Sequence, residues 1–145
     1  MCQVHSEQQM RDIIRRAGLN ATTQRLSVYK YLMNCKTHPT AEEIYSGIRA
    51  EKQNMSRGTI YNTLKSFCDV GLVRVLEFKD SETRYDTDVM DHAHFKCQKC
   101  GRLIDIDLPA STFQNPALAG FEIHNQAVLL TGICPDCQEQ AELAK

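Results

Sequence analysis

Ser56-Arg57-Gly58-Thr59-Ile60-Tyr61-Asn62-Thr63-Leu64-Lys65-Ser66-Phe67-Cys68-Asp69-Val70-Gly71 is the stretch whose reading decides the fold. Ser56 can cap the backbone N–H groups of a first turn, and Gly71 can take the left-handed conformation that closes a helix. The pattern therefore predicts a helix over residues 57–69. Ile60, Leu64 and Phe67 recur at spacings of 4 and 3 and form a core-facing stripe. Arg57, Thr59, Asn62 and Lys65 lie off that stripe, and Tyr61 lies at its border. Downstream, residues 72–78 mix β-branched and bulky side chains, Lys79-Asp80-Ser81-Glu82 makes a polar turn, and Thr83-Arg84-Tyr85 brings the chain back.

Upstream the chain reads as three more helices. Residues 7–16 carry Met10, Ile13 and Ile14 on one face before Gly18; Thr22 or Thr23 can cap a second helix through about residue 35. Thr40-Ala41-Glu42-Glu43 is a capping box that starts a third. Short helices followed by a two-stranded hairpin are the layout of a winged helix-turn-helix, in which the fourth helix enters the major groove. Its polar edge could reach bases and phosphates there, and the same residues could equally form a solvated helix face.

Cysteine usage points to metal. Four of the seven cysteines form Cys97-Gln98-Lys99-Cys100 and Cys134-Pro135-Asp136-Cys137. Two Cys-x-x-Cys turns can complete a tetrahedron of soft thiolates, which suits structural zinc. A rubredoxin-like iron site or redox disulfides are the competing accounts. Cys2 reads as an exposed terminal thiol, and Cys35 and Cys68 as small buried helix residues.

Thr87-Asp88-Val89-Met90-Asp91 reads as a hinge. Beyond it the pattern predicts strands over 92–96, 103–108 and 121–133, a short helix over 109–118 and a C-terminal helix over 138–143. Zinc would staple the start of this small module to its end. A second constellation, Asp86, His92, His94 and Asp105, clusters around the hinge. His92 and His94 are two apart on a strand and share a face. Imidazole with carboxylate accommodates ferrous or manganous ions as well as zinc, although exposed polar residues on short strands would give the same pattern. His5 and His124 lack such company and read as surface residues.

Length and charge set the frame. The 145 residues are 42% hydrophobic and 24% charged, which excludes disordered and collagen-like chains. No apolar run approaches the roughly 20 residues of a spanning helix, and the first residues resemble no leader, so a cytoplasmic protein with no membrane partner is expected. The net charge of −1 conceals a split: residues 1–86 carry 13 basic and 10 acidic side chains, +3, and residues 87–145 carry 4 and 8, −4. Bulk charge cannot drive polyanion binding here, so a nucleic-acid partner would need local contacts and a dimer.

His92-Ala93-His94-Phe95-Lys96-Cys97-Gln98-Lys99-Cys100-Gly101 with Cys134-Pro135-Asp136-Cys137 resembles the ferric uptake regulator (Fur) family of metal-dependent transcription factors. Thr23-Gln24-Arg25, His38-Pro39-Thr40-Ala41-Glu42-Glu43-Ile44-Tyr45 and Thr59-Ile60-Tyr61-Asn62-Thr63-Leu64 are similar to its DNA-binding half.

The resemblance implies an α+β chain. An N-terminal winged helix-turn-helix domain (1–86) and a hinge (87–91) would precede a C-terminal α/β dimerisation and metal-binding domain (92–145) stapled by the four-cysteine zinc site. It implies a homodimer on double-stranded operator DNA, and a regulatory Fe2+ or Mn2+ held by His38, Asp86, His92, His94 and Asp105. Tyr61 and Asn62 lead the implied DNA contacts, then Arg57; Thr59 lies beside them, and Arg25 and Lys65 are placed as phosphate contacts. Asp86 in place of the glutamate usual in iron sensors favours the peroxide-sensing (PerR) branch. So do Asp91, Ala93 and Gln126 at positions of a further histidine-rich site. In that branch His38 and His92 take up oxygen from peroxide, and DNA is released without catalytic turnover or any other small-molecule substrate. A regulator of iron, zinc or manganese availability shares every motif. A ferrous oxygenase, or a zinc-stapled module without DNA binding, are readings from other classes.

Overall fold

Four polar side chains set where the helices begin. Ser6, Thr22, Thr40 and Ser56 each accept the backbone N–H three residues on, from Gln9, Arg25, Glu43 and Thr59. They open α1 (Glu7–Arg16), α2 (Thr23–Asn34), α3 (Ala41–Ala50) and α4 (Arg57–Asp69). The caps at Ser6 and Thr40 are full capping boxes, closed by Gln9 and Glu43. In this computed structural model the described residues are 5–78, 82–88, 92–109, 114–123, 126 and 128–144. The chain divides into two compact units, Met1–Val89 and Met90–Lys145.

In the first unit the predicted stripe is the core. Ile60, Leu64 and Phe67 of α4 are fully buried with Ile14, Val28 and Ile44, and Tyr29 meets the Phe67 ring edge-on at 5.7 Å. Burial of this kind stabilises by about 1.5–3 kcal/mol per large side chain. Gly71, at φ +74°, ends α4 as expected. The wing is shorter than the pattern predicted. β1 (Arg74–Leu76) pairs antiparallel with β2 (Arg84–Asp86), Val75 opposite Tyr85. Leu72 and Val73 do not join β1, because their N–H groups donate back to the Phe67 carbonyl that α4 leaves open. The turn residues 79–81 and the hinge residues 89–91 lie outside the described residues.

The second unit is a three-stranded sheet in the order β4–β3–β5, with β3 (His92–Cys97) in the centre. β4 (Leu103–Asp107) runs antiparallel to it, with His94 opposite Asp105, and β5 (Val128–Gly132) runs parallel, with Cys97 opposite Gly132. The strand expected over 121–133 is shorter than predicted. Its register puts Val128 opposite Ala93, the second residue of β3, and the described residues before it, 121–123 and 126, lie in no strand. Of the helix expected over 109–118, the described residues show a 3-10 turn at Pro116–Leu118; residues 110–113 and His124 lie outside them. α5 (Pro135–Leu143) opens three residues earlier than expected, with Pro135 preset for a first helical turn.

Cys35 and Cys68 are half-buried, and Cys35 stands just beyond α2 rather than within it, its Sγ 3.1 Å from Thr37 Oγ1. His5 is half-buried too. Among the described residues, no helix is long and apolar enough to cross a membrane.

Candidate metal centres and DNA-facing helix

The sheet of the second unit delivers four sulfurs to one place. β3 ends on Cys97, and the chain reverses through Gly101 at φ +73°. Gln98 N–H donates to Gly132 O at 2.7 Å, which ties this turn to the end of β5, and Cys134 then sits at the cap of α5. All four Sγ atoms lie within 4.8 Å of one another, Cys100 and Cys134 at 3.9 Å. A zinc ion with ordinary Zn–S bonds spaces its sulfurs about 3.8 Å apart, so the cage fits. Cys97 and Cys134 are fully buried and form the unit's small core with Cys137, Phe95 and Ile104.

Backbone N–H groups of Cys100 and Cys134 point at the Cys97 sulfur and pull its thiol down to about 6. Hydrogen bonding to the Cys134 sulfur, with burial, pushes Cys137 up to about 12. Arg102, paired with Asp136, donates to Cys134 Sγ at 3.7 Å. Cys137 therefore holds a proton that a metal would displace, whereas Cys97 is already poised as a thiolate.

On the same sheet, His92 and His94 project from one face of β3, both buried. Their Nε2 atoms are 2.9 Å apart, and Asp105 Oδ1 lies 3.6 Å from the first and 3.4 Å from the second. Two imidazole nitrogens that face each other so closely share either a proton or a cation. Adjacent ligands at right angles on a metal with bonds near 2.1 Å stand about 3.0 Å apart, so this half-site also fits an ion. The antiparallel register that sets His94 opposite Asp105 makes it.

The first unit carries a second half-site. His38 Nε2 and Asp86 Oδ2 are 3.4 Å apart with both side chains buried. Asp86 ends β2, and its Oδ1 accepts the Asp88 N–H at 2.8 Å. His38 stands in the left-handed region at φ +52°. Arg84 holds it there, donating to His38 O at 3.0 Å, while Tyr85 N–H donates to Pro39 O at 3.0 Å. Arg84 was not legible as a functional residue, because its partner is 46 positions away.

Along α4 the predicted DNA-facing residues differ in what they already touch. Tyr61 is 52% exposed, and Asn62 is exposed beside it. Arg57 forms a two-pronged pair with Glu42, Nη2–Oε1 2.7 Å and Nε–Oε2 3.1 Å, over the Tyr45 ring. Lys65 pairs with Asp69 at 2.8 Å, and Thr59 Oγ1 meets the capping Ser56 hydroxyl at 2.9 Å. Arg25, on α2, donates to Asn20 O at 3.0 Å. Glu42 and Tyr45 lie in the stretch that resembles the family's DNA-binding half, but no pattern in the sequence assigned either a role of its own.

The sequence model of the ferric uptake regulator family matches residues 16–131. Over 130 residues the chain is 35% identical to the peroxide-responsive repressor PerR of Staphylococcus aureus, covering 88% of each. Among solved structures, the ferric uptake regulator Fur of Helicobacter pylori, described as having three functional metal binding sites, superposes with a TM-score of 0.74. It is 26% identical, with 95% of this chain and 97% of that one covered. A zinc-bound manganese uptake regulator gives 0.64 at 26% identity, covering 86% and 98%. The chain belongs to the ferric uptake regulator family.

Proposed function

We propose that this regulator is a homodimeric repressor of double-stranded operator DNA that releases its operator when peroxide oxidises its own histidine ligands. The observation that carries the reading is the pair of partial ligand sets, His38 with Asp86 on the first unit and His92 with His94 and Asp105 on the second. Two donors or three fall short of a closed site, and the five together supply the mixed nitrogen–oxygen set that Fe2+ or Mn2+ accepts.

An ion held by His38 and Asp86 together with His92, His94 and Asp105 would fix how the DNA-binding domain (1–86) is carried across the hinge (87–91) by the dimerisation domain (92–145). In a dimer it fixes the spacing of the two recognition helices. Binding of the ion then selects the DNA-competent state through differential affinity. The four-sulfur cage takes structural Zn2+. Tyr61 and Asn62 contact the operator first, with Arg57 and Thr59 beside them and Arg25 and Lys65 on phosphates.

Fe2+ held by His38, Asp86, His92, His94 and Asp105 would activate peroxide beside these ligands and end the cycle ferrous, the two electrons that reduce peroxide coming from an imidazole. His38 or His92 gains one oxygen atom while peroxide's other oxygen leaves as water. The oxidised imidazole is a poorer ligand, so the two sets separate and the DNA-competent state is lost. The chain is consumed as it senses, which makes it no enzyme, and it works in the cytoplasm beside its DNA. The identity to a peroxide-responsive repressor and the aspartate at position 86 support this branch.

The dimer reading rests on the second unit. A three-stranded sheet with a core of cysteines leaves Ile106, Leu129, Leu130 and Ile133 exposed. So small a sheet needs a partner surface, and a second copy supplies one.

The test loads zinc-containing protein with ferrous iron, adds near-stoichiometric peroxide and maps oxygen addition by peptide mass spectrometry, with manganese-loaded protein as control. Oxygen on the His38 or His92 peptides in the iron sample alone, with loss of DNA binding, is the expected result. Unmodified histidines with DNA released only by a chelator would make the protein a sensor of metal availability.

A further inference from the structure

The guanidinium of Arg57 is presented rather than merely exposed. Arg57 is the first residue of α4, the place from which a recognition helix reaches base edges. Its Nε and Nη2 edge is taken by the Glu42 carboxylate, at 3.1–3.2 Å from Nε and 2.7 Å from Nη2. Its Cζ lies over the Tyr45 ring, 4.2 Å from the centroid. Arg49 lies over the same ring at 5.7 Å and donates to the Tyr45 hydroxyl at 3.1 Å, which fixes the ring in turn. Two contacts from α3 thus hold a side chain that would otherwise sample many rotamers, and among the described residues Nη1 has no acceptor.

Glu42 could act in two opposite ways. As a competitor, it would occupy Arg57 until a DNA phosphate displaced it. As a support, it would fix the fork so that the remaining Nη edge meets a base. The geometry favours the support. A phosphate competitor needs only charge, whereas here the carboxylate takes one edge in the fork–fork arrangement, which fixes the guanidinium plane, and an aromatic ring lies against its Cζ. What is left is a planar pair of N–H donors, which matches the O6 and N7 acceptors of guanine.

We infer that Arg57 reads a guanine in the major groove of each operator half-site, and that Glu42 and Tyr45 are positioning residues for that contact. The inference rests on the DNA-binding reading above and deepens it by naming the base.

The test selects manganese-loaded full-length protein on a pool of randomised duplexes and remakes the winning duplex with 7-deazaguanine at each guanine in turn. That base lacks N7 and leaves every phosphate in place. For the wild type, one guanine in each half-site is expected to lose roughly 2- to 12-fold in affinity on replacement, about half of a bidentate base contact in free energy because O6 remains. Arg57→Lys should abolish that sensitivity. Glu42→Ala should weaken it, with the salt dependence unchanged, and Glu42→Gln, which keeps the side-chain shape, should fall between. Circular dichroism and melting curves report whether each variant is folded.

Equal sensitivity in wild type and Arg57→Lys overturns the inference. So does a Glu42→Ala protein that binds every duplex more tightly with a steeper salt slope, which would make Glu42 a competitor. If the wild type enriches no duplex at all, the repressor reading itself fails. An enriched duplex with no Arg57-dependent guanine overturns the base contact alone.

Discussion

His38 Nε2 stands 3.4 Å from Asp86 Oδ2, both side chains are buried, and the histidine backbone is held at φ +52°. A residue with a Cβ pays about 1–2 kcal/mol to sit in the left-handed region, so its surroundings must fix it. They do so through β2: Thr40 bridges to Arg84, Tyr85 N–H reaches Pro39 O, and the Arg84 guanidinium caps the His38 carbonyl. The wing of the DNA-binding unit is therefore also the brace of His38 and Asp86, two of the proposed metal ligands.

Arg84→Ala leaves the five proposed regulatory ligands in place and removes the cap on His38 O together with the Arg84–Glu43 pair at 3.8 Å. Manganese affinity should fall about 10- to 100-fold, the usual effect of losing a group that orients a ligand. Zinc content should not change. Manganese titration of DNA binding measures the first and elemental analysis the second; an unaltered titration curve would show that the loop holds without Arg84.

The cysteine cage is the core of the second unit, since Cys97, Cys134 and Cys137 are its buried cluster with Phe95 and Ile104 packed on it. Stripping the metal should therefore melt the sheet and leave the helical unit folded, because that unit has a separate core. Cys137→Ser should reproduce this at lower chelator concentration. Circular dichroism during chelator titration follows the helices, and amide exchange over residues 92–97 follows β3; full protection of β3 in zinc-free protein would contradict the expectation.

Leu130 lies on the strand β5 at 42% exposure, between Leu129 and Thr131. A carboxylate there costs the monomer little but is buried if a second copy covers this sheet. Leu130→Glu is expected to convert the dimer to monomer in sedimentation while zinc stays bound. A dimer that persists at micromolar concentration would locate the interface elsewhere.

Burial, and then the charge of Asp69, hold the Cys68 thiol above its ordinary ionisation range. The folded chain should thus react with iodoacetamide at Cys68 more slowly than the urea-unfolded chain at pH 8, because the thiolate is the nucleophile. A thiol raised in the folded state loses stability as pH climbs from the unfolded value of 9.0 toward the folded one, since only the unfolded thiol ionises there. Cys68→Ser should flatten that alkaline fall in melting temperature. Equal labelling rates in both states would show Cys68 to be accessible to peroxide as well.

Gly47 has no room for a methyl group: a Cβ built on it runs into the Tyr31 ring. Gly47→Ala gains about 1 kcal/mol of helix propensity and loses about 1–3 kcal/mol by overpacking, for a net loss of up to about 2 kcal/mol. In a Tyr31→Ala background the same change should stabilise. A double-mutant cycle on melting temperature tests the reversal, and additive effects would mean the ring moves aside freely.

Local chemistry made part of this molecule legible at once. The Thr40–Glu43 capping box, the Ser56 cap, the Ile60-Leu64-Phe67 stripe and both Cys-x-x-Cys turns are short-range patterns, and each describes its own few residues fully. His92 and His94 share a face because a strand alternates with period two, wherever that strand lies. Strand ends were misjudged, since a strand extends only as far as its partner pairs with it: β1 is Arg74–Leu76 because only Arg84–Asp86 lies opposite it. The Arg84 brace and the Glu42–Arg57 fork span 46 and 15 positions, and no local pattern encodes which side chains meet across such distances. The sequence by itself determined the first four helices and the grouping of the four sulfurs. Only the packing of α3, α4 and the wing decided which arginine edge is offered outward and how His38 is turned toward Asp86. Those depend on where whole elements come to rest, and that is a property of the assembled core.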